Sequence, residues 1–234
     1  MAYSRAEFLS IPRVRERNIL RNVYLWMTAG LALTGVVSIG VAGNPALMRT
    51  LLGNQFLFLA LIIGELALVL YLSARINQMT ASRATLAFAG YSILNGITLS
   101  IIFLVYTGAE ISLAFFTAAG TFAGMSLYAM TTKRDLSGIG HYLIMGLWGI
   151  ILASVINIFL RSEGLYYMIS YIGVFVFIGL TAYDTQMIKR WNENFGTSIS
   201  EEQYVKLSIL GALKLYLDFL NMFLFMLRIF GRRN

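Results

Sequence analysis

The sequence predicts an all-α integral membrane protein, a bundle of seven transmembrane helices, on three observations. Residues of the AVILMFWYC class make up 58% of the 234, only 12% are charged, and the mean hydropathy is +0.73. A water-soluble domain carries about twice that charged fraction. Apolar runs recur along the chain at about the 20 residues a helix needs to cross the hydrocarbon core. Basic residues gather in alternate connections between those runs, as expected where cytosolic loops hold Lys and Arg.

The runs are Asn22 to Gly43, Gln55 to Ser73, Ala84 to Tyr106, Ile111 to Met130, Gly140 to Leu160, Leu165 to Met187 and Lys206 to Leu227. Before the first stand Arg5, Arg13, Arg15, Arg17 and Arg21 mixed with Glu7 and Glu16, with no apolar stretch ahead of them. That pattern is not expected of a cleaved signal peptide, and residues 1–21 read as a cytosolic tail. The even-numbered connections hold Arg75 and Arg83, then Lys133 and Arg134, then Lys189 and Arg190. The odd-numbered ones hold Arg49, Arg161 or no base, which places the amino terminus in the cytosol. Residues 22–231 form the transmembrane domain and 232–234 a short tail. Seven spans put Arg232 and Arg233 outside, against the rule; a re-entrant last segment is the alternative.

Both prolines, Pro12 and Pro45, fall outside the runs, so the helices are expected to be mostly unbroken. The polar stretch from Lys189 to Tyr204 reads as a cytosolic loop. In the fourth span, Gly120 and Gly124 form a GxxxG spacing of the kind that permits close helix contact.

Composition also excludes. With no cysteine there is no disulfide or thiolate site, and one histidine among so few acids argues against a zinc centre. The net charge of +7 lies between apolar runs rather than in a solvated patch, so the lipid bilayer, not nucleic acid, is its counterpart. No cofactor is expected.

Four ionisable residues fall inside runs: Glu65, Asp184, Lys214 and Asp218. A charge at mid-membrane costs at least about 2.5 kcal/mol on insertion scales, so each is a candidate functional group as well as a candidate structural ion pair. Asp184 and Asp218 sit in the last two spans, each near a tyrosine, and neighbouring helices can bring them together. Two carboxyl groups in contact share one proton as a pair, and with both ionised they offer hard oxygen ligands to a divalent cation such as calcium. By rise per residue, Asp184 lies near the end of its span and Asp218 near the middle of its own, so tilt or a shift of the seventh span must close the gap. Lys214, one turn before Asp218, can neutralise it. Arg228 is the expected partner of Glu65, and Arg75 a base that reaches the aspartate region. Asn95, Asn157 and Asn221 read as interhelical hydrogen-bonding groups.

The strings Gly179-Leu-Thr-Ala-Tyr-Asp184-Thr-Gln186, Leu213-Lys-Leu-Tyr-Leu-Asp218-Phe-Leu-Asn221 and Leu227-Arg-Ile-Phe-Gly231, with the Lys133-Arg134-Asp135-Leu136 loop, resemble the transmembrane Bax inhibitor motif family, and its bacterial members in particular. The likeness runs across all seven spans. It implies a bundle whose seventh helix is surrounded by the other six, a bacterial inner-membrane location, and a pH-sensitive calcium leak. It places the family's aspartate pair on Asp184 and Asp218, its arginine latch on Arg75, and its glutamate and seventh-helix arginine on Glu65 and Arg228. Lys214 departs from the uncharged residue expected there and modulates the site with a fixed positive charge.

Two other functions compete. An intramembrane aspartyl protease also opposes a Tyr-Asp in one span to an aspartate in the next, but it carries Gly-x-Gly before the second aspartate and a later Pro-Ala-Leu. Here Tyr216-Leu217 precede Asp218 and no proline follows Pro45, so an enzyme is not expected. A regulator that binds another membrane protein, which the same resemblance permits because family members are associated with control of cell death and of membrane proteases, needs no ion flux. The protein itself is expected to be a monomer.

Overall fold

The computed structural model of the protein describes residues 18–195 and 199–231. The arginines expected in the cytosolic tail before residue 18, and Arg232 and Arg233, lie outside the described residues. The chain runs α1 (Ile19–Ala42), α2 (Pro45–Gly53), α3 (Gln55–Arg75), a 3-10 turn (Ile76–Gln78), α4 (Ala81–Leu99), α5 (Ile102–Val105), α6 (Gly108–Thr131), α7 (Ser137–Leu160), α8 (Glu163–Phe195) and α9 (Glu201–Phe230). Seven of these segments are long and apolar enough to cross a membrane, with α4 and α5 forming one span. The described residues contain no strand.

Polar residues start the helices. Asn18, Asn44, Asn54 and Thr80 accept hydrogen bonds from the first-turn amides of α1, α2, α3 and α4. Thr107 with Glu110, and Ser200 with Gln203, form reciprocal capping boxes at α6 and α9. Such caps satisfy amides that have no partner within the helix, a strict requirement near lipid.

The seventh span, α9, is the axis. It packs on α8, α1, α6 and α4. In its most apolar stretch 72% of the residues are buried, against 6% for α3 and for α7. Side chains on every side of α9 are enclosed, among them Leu213, Leu215, Tyr216, Met222 and Leu227. The outer helices instead expose large apolar residues such as Phe56, Leu70, Trp148 and Phe159, the surface that lipid requires.

Four expectations are corrected. The third span is not continuous: the Ser100 hydroxyl donates back to the Ile97 carbonyl at 2.6 Å and the ladder breaks before α5. This is the competition a serine offers its own backbone. The polar stretch after Lys189 is not all loop, because α8 continues to Phe195 and α9 begins at Glu201. Gly120 and Gly124 make no close helix contact, since a Cβ at either would meet nothing within 4 Å. Close approach occurs instead at other glycines: a Cβ on Gly173 would lie 2.6 Å from the Phe225 ring, and one on Gly211 2.7 Å from Val23. Finally, the intramembrane asparagines bond locally rather than across helices. Asn95 and Asn221 donate to the carbonyls of Tyr91 and Leu217, one turn back, and Asn157 accepts from the Ser162 amide.

Candidate functional site

The register of α8 against α9 follows from their short connection. Asp184 lies eleven residues before the end of α8, Lys214 thirteen residues after the start of α9 and Asp218 seventeen. At about 1.5 Å per residue, Lys214 is nearly level with Asp184, and Asp218 stands about one helical turn deeper. The extension of α8 beyond the expected span removes much of the depth mismatch, and the remaining offset is filled by Lys214.

The ammonium of Lys214 accordingly donates to Asp184 Oδ1 at 3.4 Å. Lys214 therefore pairs across helices with Asp184, not with Asp218 on its own helix. Asp184 and Asp218 are both buried, at 5% and 4% exposure. Among the described residues Asp218 Oδ2 has no hydrogen-bond partner, while Asp218 stands within electrostatic range of Asp184 and Lys214. Fully buried Thr181 and Thr185 flank Asp184 on α8; the Thr185 hydroxyl meets that of Ser126 at 3.5 Å.

With both aspartates ionised, this cluster carries one net negative charge; one proton, or displacement of the ammonium by a cation, changes that balance. Calcium takes six to eight oxygens. The two carboxyl groups supply part of that number, and among the described residues no group of three or more His, Cys, Asp or Glu is placed to hold a metal.

The remaining candidates lie elsewhere. Arg75 donates to Gln78 Oε1 at 2.7 Å at the end of α3, and among the described residues no ion pair joins it to either aspartate. Glu65 accepts a 2.6 Å hydrogen bond from Thr98 of α4. Arg228 stacks over the rings of Tyr166 and Phe225, 5.5 and 5.3 Å from their centroids, so the expected Glu65–Arg228 pair is not formed.

Two features escaped the sequence. Tyr216, on another face of α9 from Lys214, is completely enclosed; its hydroxyl meets that of Thr34 at 2.7 Å, and Thr34 donates to the Ser92 carbonyl. A threonine inside an apolar run carries too little signal to mark such a pairing. At the helix ends nearest Asp184, α8 grips the α6–α7 connection. Gln186 accepts from the Leu136 amide and donates to the Arg134 carbonyl, both at 2.8 Å, and Lys189 donates to the Met130 carbonyl at 2.9 Å. Arg190 forms an ion pair with Asp135. The Ser137 amide, followed by the Arg190 guanidinium, holds the Asp135 carboxyl down at about 2, from an ordinary 3.8. The spacing of 186, 189 and 190 on one helical face was a legible signal.

Comparison with known proteins agrees with this architecture. A family model described as Inhibitor of apoptosis-promoting Bax1 matches residues 16–234. The chain is 49% identical over 232 residues to the inner membrane protein YbhL of Escherichia coli K12, covering 99% of each chain. It is 42% identical over 219 residues to a protein of Deinococcus radiodurans (93% of this chain, 92% of that one) and 41% over 221 residues to one of Borreliella burgdorferi (94% of each). With its all-helical bundle, seven candidate spans and a match over almost the whole chain, the protein belongs to the Bax inhibitor-1 family of integral membrane proteins.

Proposed function

We propose that the protein is a pH-sensitive cation leak of the bacterial inner membrane, with calcium as the transported ion and Asp184 and Asp218 as the ion-binding and proton-sensing pair. The observation that carries this reading is the buried Asp218 oxygen without a partner, beside an Asp184 that is held by an ammonium. A purely structural ion pair would be expected to satisfy its buried oxygens, because an unmet acceptor costs about 1–3 kcal/mol or more. A site that exchanges protons and cations instead needs acceptor capacity in reserve.

In this mechanism a cation entering the pair competes with a proton and with Lys214 for the same carboxylate oxygens. Occupancy rises with pH, since a protonated carboxyl is a poor ligand. Departure of the Lys214 ammonium frees Asp184 Oδ1, so its 37%-exposed side chain acts as a tethered counter-ion. The chemistry is binding and release, with no covalent step, and the protein is not an enzyme. The amino terminus faces the cytosol, which brings the basic connections after α3, α6 and α8 to that side.

The test is calcium flux into liposomes containing only the purified protein, run over a pH series with Asp184→Asn and Asp218→Asn beside the parent. Flux that depends on pH in the parent and is lost in both variants supports the leak. Absence of flux in correctly folded parent protein sinks it and leaves a regulator acting through other membrane proteins. Reporter fusions after Arg21 and Asn234 test the orientation, which requires them on opposite sides.

A further inference from the structure

At the opposite end of the bundle from the α6–α7 connection, α7, α8 and α9 line an open cavity of about 510 Å³. Its polar lining includes Asn157, Arg161, Glu163, Tyr166 and Arg228. The volume lies within the range of small-molecule sites, about 300–1,000 Å³. Only Arg161 and Ser162 separate α7 from α8, so the cavity sits where the spans meet the headgroup layer.

Its construction is specific. Arg161 closes α7 in the left-handed region, at φ 50°, the only non-glycine residue there among those described. Such a conformation is uncommon for a non-glycine side chain. Arg228 is clamped between the faces of Tyr166 and Phe225, an arrangement that fixes the guanidinium plane while leaving its N–H edges available for an anion. No salt bridge within 4 Å involves Arg161, Arg228 or Glu163 among the described residues. Asn157 commits its oxygen to the Ser162 amide, which leaves its amide N–H groups as further donors. Among the described residues, two guanidinium groups and one carboxylate give the lining a net charge of +1.

We propose that this cavity binds the phosphodiester headgroup of a monoanionic phospholipid. The two guanidinium groups take the phosphate, whose single negative charge matches the net charge of the cavity, and Glu163 accepts from a headgroup hydroxyl. A lipid, rather than a free anion, is favoured by the surroundings. Ile158 lines the cavity while remaining 69% exposed, next to Phe159 at 82% and Leu160 at 63%. The polar floor therefore adjoins a lipid-facing apolar wall where acyl chains can lie, with Tyr167 and Tyr171 exposed nearby as interfacial anchors.

The test is native mass spectrometry of the full-length protein in an uncharged detergent, titrated with phosphatidylglycerol, with phosphatidylcholine and inorganic phosphate as comparators. The parent should retain one phosphatidylglycerol about tenfold more tightly than phosphatidylcholine, the effect of a charge-assisted hydrogen bond or two. Arg228→Gln should lose about that factor. Arg161→Asn should do the same, and asparagine tolerates the left-handed backbone there, so this variant keeps the test informative if loss of the Arg228 stack impairs folding. Arg49→Gln removes a base from α2 on the same side of the bundle but outside the cavity, and should bind as the parent does. Equal retention of both lipids, equal retention by parent and cavity variants, or equal loss in Arg49→Gln overturns the proposal. Displacement of the lipid by millimolar inorganic phosphate also overturns it, by assigning the cavity to a soluble anion.

Discussion

Lys214 on α9 donates to Asp184 on α8 at 3.4 Å although Asp218, one turn further along its own helix, is the nearer acid in sequence. The pairing joins the two helices at the buried carboxylates and sets a half-buried positive charge against the oxygen that the proposed leak offers to a cation.

Replacing that charge should strengthen the competing cation. Lys214→Met is expected to tighten calcium binding by about one to two orders of magnitude, the range by which one nearby charge biases a carboxylate. Calorimetric titration of the detergent-solubilised protein measures it; unchanged affinity would show that Lys214 does not compete for the site.

The two aspartates should differ in their effect on stability. Asp184→Asn leaves the half-buried Lys214 without its partner and is expected to destabilise by about 1–2 kcal/mol, less than the 3–5 kcal/mol of a fully buried pair. Asp218→Asn removes a buried negative charge that stands beside Asp184, and gives the site N–H donors that a carboxylate can accept, so it should be neutral or stabilising. Thermal unfolding of both variants decides the order, and the reverse order contradicts this account.

Glycine substitutions separate the two packing surfaces. Gly173→Ala drives a methyl to 2.6 Å from the Phe225 ring and should cost about 1–3 kcal/mol by overpacking. Gly120→Ala meets nothing within 4 Å and should be neutral or slightly stabilising through helix propensity. Parallel melts of the two variants in the same detergent provide the comparison.

The grip of α8 on the α6–α7 connection should weaken in strong acid. Because the folded Asp135 carboxyl is held at about 2 rather than 3.8, its contribution is fully present above that ordinary value and is lost as pH falls through about 2. The difference in thermal stability between the parent and Asp135→Asn should therefore shrink over this window. A difference that is constant from pH 5 to pH 2 would remove Asp135 from the clamp.

The bundle was legible because membrane crossing imposes length and apolarity on each segment separately. All seven runs were therefore found without knowing their neighbours. The central position of α9 came from family resemblance, since its apolar content alone does not distinguish a helix enclosed by protein from one facing lipid. At the site, the acids were conspicuous by their cost in the membrane, but which base meets which acid depends on where α8 ends. That end was misplaced because the residues after Lys189 are polar, although their helix continues by bonding to the α6–α7 connection and, through Asn192, to the Ile19 amide. Gly120 and Gly124 failed as a contact motif for a related reason: spacing puts them on one face, but only packing decides what that face meets.

The enclosure of α9 also imposes an order on biogenesis. A ribosome releases α1, α4, α6 and α8, the helices packed on α9, before α9 itself; α3 and α7 lie outside that ring, so the seventh span is enclosed by four helices rather than by six. Until α9 has been made, Val23, Phe88 and Phe177 lack the Gly211, Tyr216 and Phe225 against which they pack. The core is therefore completed only when α9, which carries the buried Asp218, has been made.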